Sequence, residues 1–210
     1  MSISRLKISA EDPEQLSLFL KEEYKPIEID TVYQYLAVLS PPDETTDRIR
    51  RLKYQLNNLA YLGSYNLFSI PHITLAKLQS VHRANDRFGK VLQKEFIEYG
   101  GLSIKLNGFN FFSHENDSKT IYLQIEDTHK IEAIYTQLNT ALGIPLKKDY
   151  VPHLTIAKTI SAPQFDDLFP VLPESGFEDS FICNHIIVLE RTIRNGKVSH
   201  YKPFKKIKLG

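Results

Sequence analysis

Two short segments of this 210-residue chain set an imidazole beside a hydroxyl: Pro71-His72-Ile73-Thr74-Leu75-Ala76-Lys77 and Pro152-His153-Leu154-Thr155-Ile156-Ala157-Lys158. The copies agree at Pro, His, Thr, Ala and Lys and stand about 80 residues apart. One His-x-Thr triplet should arise by chance about 0.4 times in a chain of this composition, so a single copy would mean little. Two copies with the same flanks mean more. Histidine is the one side chain whose unperturbed pKa, about 6.5, lets it take and give protons near neutrality. Threonine hydroxyls can donate to non-bridging phosphate oxygens, where negative charge concentrates. Two imidazoles and two hydroxyls with no carboxylate among them suit an anionic phosphodiester. Opening a ribose 2′,3′-cyclic phosphate, for example, needs a base for water and an acid for the departing ribose oxygen.

The elements that carry these residues read as strands. Side chains alternate across a strand, so His72 and Thr74 share one face while Ile73 and Leu75 point to the other, and the second copy repeats this. If the two halves pack about a pseudo-twofold, the polar faces meet in one cleft. Strict alternation puts Lys77 and Lys158 on the Ile73/Leu75 side, where they read as solvated strand-end lysines. The plainer alternative for His72 and His153 is a pair of hydrogen-bonded strand histidines. Neither motif contains Asp, Glu, Cys or a third His, and Thr is a poor metal ligand, so no metal and no cofactor is expected.

Around the motifs, Thr31 to Ser40 reads as a strand stopped by Pro41-Pro42. Asp43 to about Asn58 reads as a helix, with Ile49, Leu52 and Leu56 on one face. Phe68 to Leu78 and Val151 to Lys158 are the motif strands, and residues 11–24 and 85–99 read as helices. Leu102 to Phe112 and Lys119 to Glu126 form strands around a polar turn, and Asp127 to Leu142 a helix ended by Gly143. Pro163 to Leu172 is a short helical or irregular link. Phe181 to Thr192 and Val198 to Leu209 close the chain as a strand pair across Arg194-Asn195-Gly196. Strands and helices mixed with hairpins indicate an α+β fold.

Composition narrows the partners. A formal net charge of +1 gives no global field for a long polyanion, so long duplex DNA is a poor partner, while a small nucleotide or an RNA-terminus phosphodiester stays open. The basic stretch formed by Arg191, Arg194, Lys197, Lys202, Lys205, Lys206 and Lys208 could steer RNA ends or protect a sheet edge. Cys183 is the single cysteine and reads as a small core residue. His82, His114, His129 and His200 read as surface residues and His185 as a satisfied core histidine. No segment has the length and apolarity of a membrane span or a signal peptide, so a cytoplasmic monomer without membrane contact is expected.

At the duplicated His-hydrophobic-Thr-hydrophobic strands the sequence resembles the 2H phosphoesterase superfamily, in its 2′,5′ RNA ligase-like branch. The resemblance runs from about residue 31 to 209. It implies a two-lobed, pseudo-symmetric α+β fold in residues 31–210, with antiparallel sheets lining a central groove and helices outside. Residues 1–30 are then an extension packed on that core. It further implies metal-independent hydrolysis of 2′,3′-cyclic phosphates or 2′,5′-phosphodiesters, with His72 and His153 as the acid/base pair and Thr74 and Thr155 as phosphate ligands. Joining of RNA ends and non-catalytic binding of a nucleotide or RNA are the alternatives.

Overall fold

The computed structural model describes residues 31–84 and 100–209, all of them within one unit, Thr31–Gly210. The expected extension 1–30 and the helices over 11–24 and 85–99 lie outside the described residues. In chain order the elements are β1 (Thr31–Leu39), α1 (Asp43–Leu59), α2 (Gly63–Phe68), β2 (Ile73–Ser80), β3 (Leu102–Ser113), β4 (Lys119–Ile125), α3 (His129–Ala141) and β5 (Leu154–Ile160). After these come α4 (Ala162–Leu168), two 3-10 turns, β6 (Glu178–Cys183), β7 (His185–Arg194), the two-residue β8 (Lys197–Val198) and β9 (Lys202–Lys208).

The strands form one antiparallel sheet in the order β6-β3-β4-β5-β2-β1-β7, with β8 and β9 both pairing β7. Its two halves mirror each other. Reading outward from the centre gives β5-β4-β3-β6 on one side and β2-β1-β7-β9 on the other. A single register pair, Ile73 with Leu154, joins the halves. The expected paired sheets are thus one sheet, continuous only at the two motif strands.

One face of this sheet is the core. Apolar residues at helical spacing press onto it: Ile49, Leu52 and Leu56 from α1, and Ile131, Ile134 and Leu138 from α3, all buried. The helices cross over. α3, from the second half, packs on β2 of the first, and α1, from the first half, packs on β5 of the second. The weak central seam is therefore clamped from the core side.

Two strand expectations are corrected. The motif strand, expected from Phe68, starts only at Ile73, and Phe68 is instead the last residue of the short helix α2. The buried Lys53 ammonium accounts for the late start: it donates to the Asn66 carbonyl, the Ser69 carbonyl and the Ser69 hydroxyl at 3.1, 3.0 and 2.7 Å, and so holds the end of α2 and takes the Ser69 acceptor that a ladder would need. The stretch Phe181 to Thr192 is two strands. The break lies at Asn184, where the chain leaves β3 for β1 and so passes from one half-sheet to the other. The Leu209 N–H donates to the Asn184 carbonyl at 2.9 Å and ties down the crossing point.

His185, expected in the core, is only half-buried beside Lys206 and Lys208, because it opens β7 next to β9. Cys183 is buried, and His82, His114, His129 and His200 are exposed. Among the described residues no helix is long and apolar enough to cross a membrane.

Candidate active site

The motif strands overlap only where the motifs lie. Antiparallel pairing of Ile73 with Leu154, each the first residue of its strand, sets position 72 opposite 155 and 74 opposite 153. Ile73, Leu75, Leu154 and Ile156 are all buried in the core, at no more than 1% exposure. Their half-exposed neighbours His72, Thr74, His153 and Thr155 therefore share the opposite face. Each imidazole faces the hydroxyl of the other motif across the seam, so the four expected site residues form one patch.

Both rings are held in the same way. His72 Nδ1 lies 2.8 Å from the Ile70 carbonyl and His153 Nδ1 lies 2.7 Å from the Val151 carbonyl. A carbonyl oxygen can only accept, so Nδ1 carries the proton in both rings and the lone pair of the neutral ring sits on Nε2. Among the described residues neither Nε2 nor either threonine hydroxyl has a protein partner. Four polar atoms on a half-buried face are thus unpaired among the described residues.

Burial is the main cause that pushes both histidines below their ordinary pKa of 6.5. The carbonyl bonds work against this, favouring the charged ring. Lys77 and Lys53 depress His72 further, and His72, Lys77 and Lys158 depress His153. Both rings are then mainly neutral at pH 7.

The influence of the lysines contradicts the expectation that they face the core side. On β1, Val38 and Leu36 are two residues apart and share a face, but their partners on β2, Thr74 and Lys77, are three apart. The extra residue is Leu75, a β-bulge that turns Lys77 onto the Thr74 face. β5 has the same bulge. Tyr122 pairs Thr155 and Ile121 pairs Ala157, so Ile156 is the extra residue and Lys158 joins the Thr155 face. Leu75 and Ala76, like Ile156 and Ala157, are consecutive buried residues, as such a bulge requires.

A bulge frees backbone groups, and these have partners. Tyr150 Oη donates to the Thr74 carbonyl at 2.8 Å and Asn139 Nδ2 to the Leu75 carbonyl at 2.9 Å. In the other half Asn66 takes both backbone groups of Lys158: its Nδ2 donates to the carbonyl at 3.0 Å and its Oδ1 accepts the N–H at 2.8 Å. Thr159 follows with φ of 55°, a left-handed conformation rare for a β-branched residue. Sequence reasoning missed Asn66, Asn139 and Tyr150, since a polar residue in an apolar stretch says nothing of its partner.

The surroundings of the two rings differ. Phe112 and Tyr122 stack on each other at 4.4 Å and wall His153, at 4.9 and 5.1 Å from its ring. His72 has the buried Lys53 nearby instead, whose pKa burial lowers to about 8. Before His72 the chain exposes Tyr61, Tyr65, Phe68 and Ile70. Among the described residues no three His, Cys, Asp or Glu side chains gather as a metal-holding group.

A mirrored antiparallel sheet with a His-x-Thr strand at each inner edge is the 2H phosphoesterase fold. A model of the 2'-5' RNA ligase superfamily matches residues 41–194, and this chain belongs to that superfamily. LigT of E. coli, solved in complex with 3'-AMP, is similar in fold: TM-score 0.58, 15% identity, 85% of this chain and 98% of that one covered. So is TT0787 of Thermus thermophilus, with TM-score 0.56, 12% identity and coverage of 84% and 97%. No curated protein matches the chain.

Proposed function

We propose that this chain is a metal-independent phosphodiesterase that hydrolyses 2′,3′-cyclic phosphate or 2′,5′-phosphodiester bonds of RNA or nucleotides. The observation that carries the reading is the pair of carbonyl-locked imidazoles, each with an Nε2 that has no partner among the described residues and each opposite a threonine hydroxyl that likewise has none there. Superfamily membership supports it, as do the complexes of the fold relative LigT with 3'-AMP, ATP and NADP+.

In this mechanism one neutral histidine takes a proton from water through Nε2 as the water oxygen bonds to phosphorus. The bond from phosphorus to a ribose oxygen breaks, and that oxygen takes the Nε2 proton of the other ring, which must be cationic. The anionic phosphate favours that charge and offsets the burial that keeps both rings neutral in the free protein. Thr74 and Thr155 donate to the non-bridging oxygens and hold phosphorus between the rings.

Incubation with 2′,3′-cyclic nucleotides and 2′,5′-linked oligonucleotides in the presence of EDTA tests the proposal. Turnover unaffected by the chelator is expected, and chelator-sensitive turnover would contradict it. The superfamily description favours end joining as a second reading. A gel assay with tRNA halves bearing cyclic-phosphate and 5′-hydroxyl ends separates ligation from hydrolysis.

A further inference from the structure

Beyond Thr74, the same face of the first half-sheet carries a cationic surface that hydrolysis of a lone cyclic phosphate does not use. Lys77 lies on this face because of the Leu75 bulge, in one register row with Leu36 and Leu189. The next row outward is Gln79, Gln34 and Arg191, on three adjacent strands. Its side chains are joined: Gln34 Nε2 donates to Gln79 Oε1 at 3.1 Å, and Arg191 Nε donates to Gln34 Oε1 at 2.6 Å. The Arg191 guanidinium also lies over the Tyr201 ring, 4.5 Å from its centre. An arginine bonded through Nε and stacked on a ring is pre-oriented, and its outer N–H groups remain available for a planar pair of anionic oxygens.

No described carboxylate forms an ion pair with Lys77, Lys147, Lys158 or Arg191. The charges of the other three all act on the Lys77 ammonium, and its partial desolvation together with this repulsion holds its pKa below the ordinary lysine value. Mutually repelling cations on a hydrogen-bonded scaffold imply an anion that neutralises them. Because the bulge spreads three residues of β2 over two of β1, strand geometry puts the Lys77 backbone roughly 7 Å from the Thr74 position, about the span of one nucleotide unit rather than of one phosphate.

We propose that Lys77 and Arg191 form a second phosphate subsite, which binds a phosphate one nucleotide away from the scissile phosphodiester. The preferred substrate is then an RNA end or nucleotide with a flanking phosphate, not a nucleoside cyclic monophosphate. This rests on the proposed function for the placement of the scissile group.

The test has a kinetic and a binding arm. Adenosine 2′,3′-cyclic phosphate is compared with its 5′-phosphorylated form by kcat/KM, and adenosine 3′-monophosphate with adenosine 3′,5′-bisphosphate by titration calorimetry. The wild-type protein is expected to prefer the 5′-phosphorylated member of each pair at least tenfold, less so as salt is raised. The double variant Lys77→Met/Arg191→Met is expected to bring both ratios close to one, with circular dichroism confirming that it folds. Equal values for the members of a pair in the wild type, or ratios unchanged in a folded double variant, overturn the subsite. If the double variant does not fold, Arg191→Lys, which keeps the charge but loses the planar fork, must lower the ratios at least threefold, and unchanged ratios count against the subsite. A tenfold binding advantage without turnover would leave the subsite standing and remove the hydrolytic reading. Turnover with no advantage would do the reverse.

Discussion

The two halves of the site agree wherever the proposed proton transfer is concerned and differ elsewhere. Each has a histidine locked through Nδ1 onto the carbonyl two residues before it, a threonine two residues on, and a bulge after the threonine that turns a lysine onto the same face. Around this common frame, His153 is walled by the Phe112/Tyr122 stack, whereas His72 adjoins a buried ammonium and an exposed aromatic approach. The bulges are supported differently as well, by Asn139 and Tyr150 in one half and by Asn66 in the other. Duplication thus kept, in both halves, the geometry that the proposed acid–base exchange needs. The divergence lies in the walls, where the two ends of the proposed asymmetric substrate would meet different chemistry.

The largest expected effect breaks the equality of the halves. His72→Ala and His153→Ala should each lower kcat by about a thousandfold on a responsive cyclic nucleotide. The double variant should be little worse than either, because the two rings act as one unit. Steady-state or single-turnover rates check this, and a tenfold loss in one variant against a thousandfold loss in the other would mean that only one ring transfers a proton. Next come the hydroxyls. Thr74→Val and Thr155→Val should each lower kcat by about ten- to a hundredfold, and the serine variants should recover most of it, since the methyl group has no part in the contact.

A smaller effect concerns the bulge supports. Asn139→Leu and Asn66→Leu each leave buried carbonyls unpaired, and each should cost about 2 kcal/mol of stability in denaturant unfolding. Their effects on activity should differ. Loss of Asn66 loosens the backbone of Lys158, while loss of Asn139 loosens that of Leu75, so the two variants should change the rate on opposite sides of the seam.

The smallest effect is in pH dependence. Both histidines of the free protein lie below 6.5, and kcat/KM reports the free protein, so its optimum should fall on the acidic side of 6.5. Bound phosphate favours the charged ring, so the optimum of kcat should lie higher. Lys77 lowers the pKa of both rings, and Lys77→Met should therefore move the kcat/KM profile to higher pH.

Much of this was legible in the sequence because it depends on local periodicity. The alternation of His72, Ile73, Thr74 and Leu75 correctly gave the face of each residue, and the 3- and 4-residue spacing of Ile49, Leu52 and Leu56 correctly gave the buried stripe of α1. The orientation of Lys77 and Lys158 was not legible. A bulge is a mismatch between two strands, and nothing within Thr-Leu-Ala-Lys announces that β1 offers one residue fewer. The turnover point at Asn184 was hidden as well, because the polar pair Asn184-His185 between two apolar stretches does not show that they serve different half-sheets. The motif strand was read from Phe68 because an aromatic residue suits a strand end as well as a helix end, and the deciding contact, at Ser69, comes from Lys53 on another element. The aromatic wall on His153 likewise comes from β3 and β4, remote in sequence.

The central claim, that two imidazoles share one proton-transfer cycle, is tested most directly by the pH dependence of kcat/KM for the wild type and the two single histidine variants. The account predicts a bell for the wild type, with His72→Ala abolishing one limb and His153→Ala the other. Persistence of both limbs in either variant would contradict it.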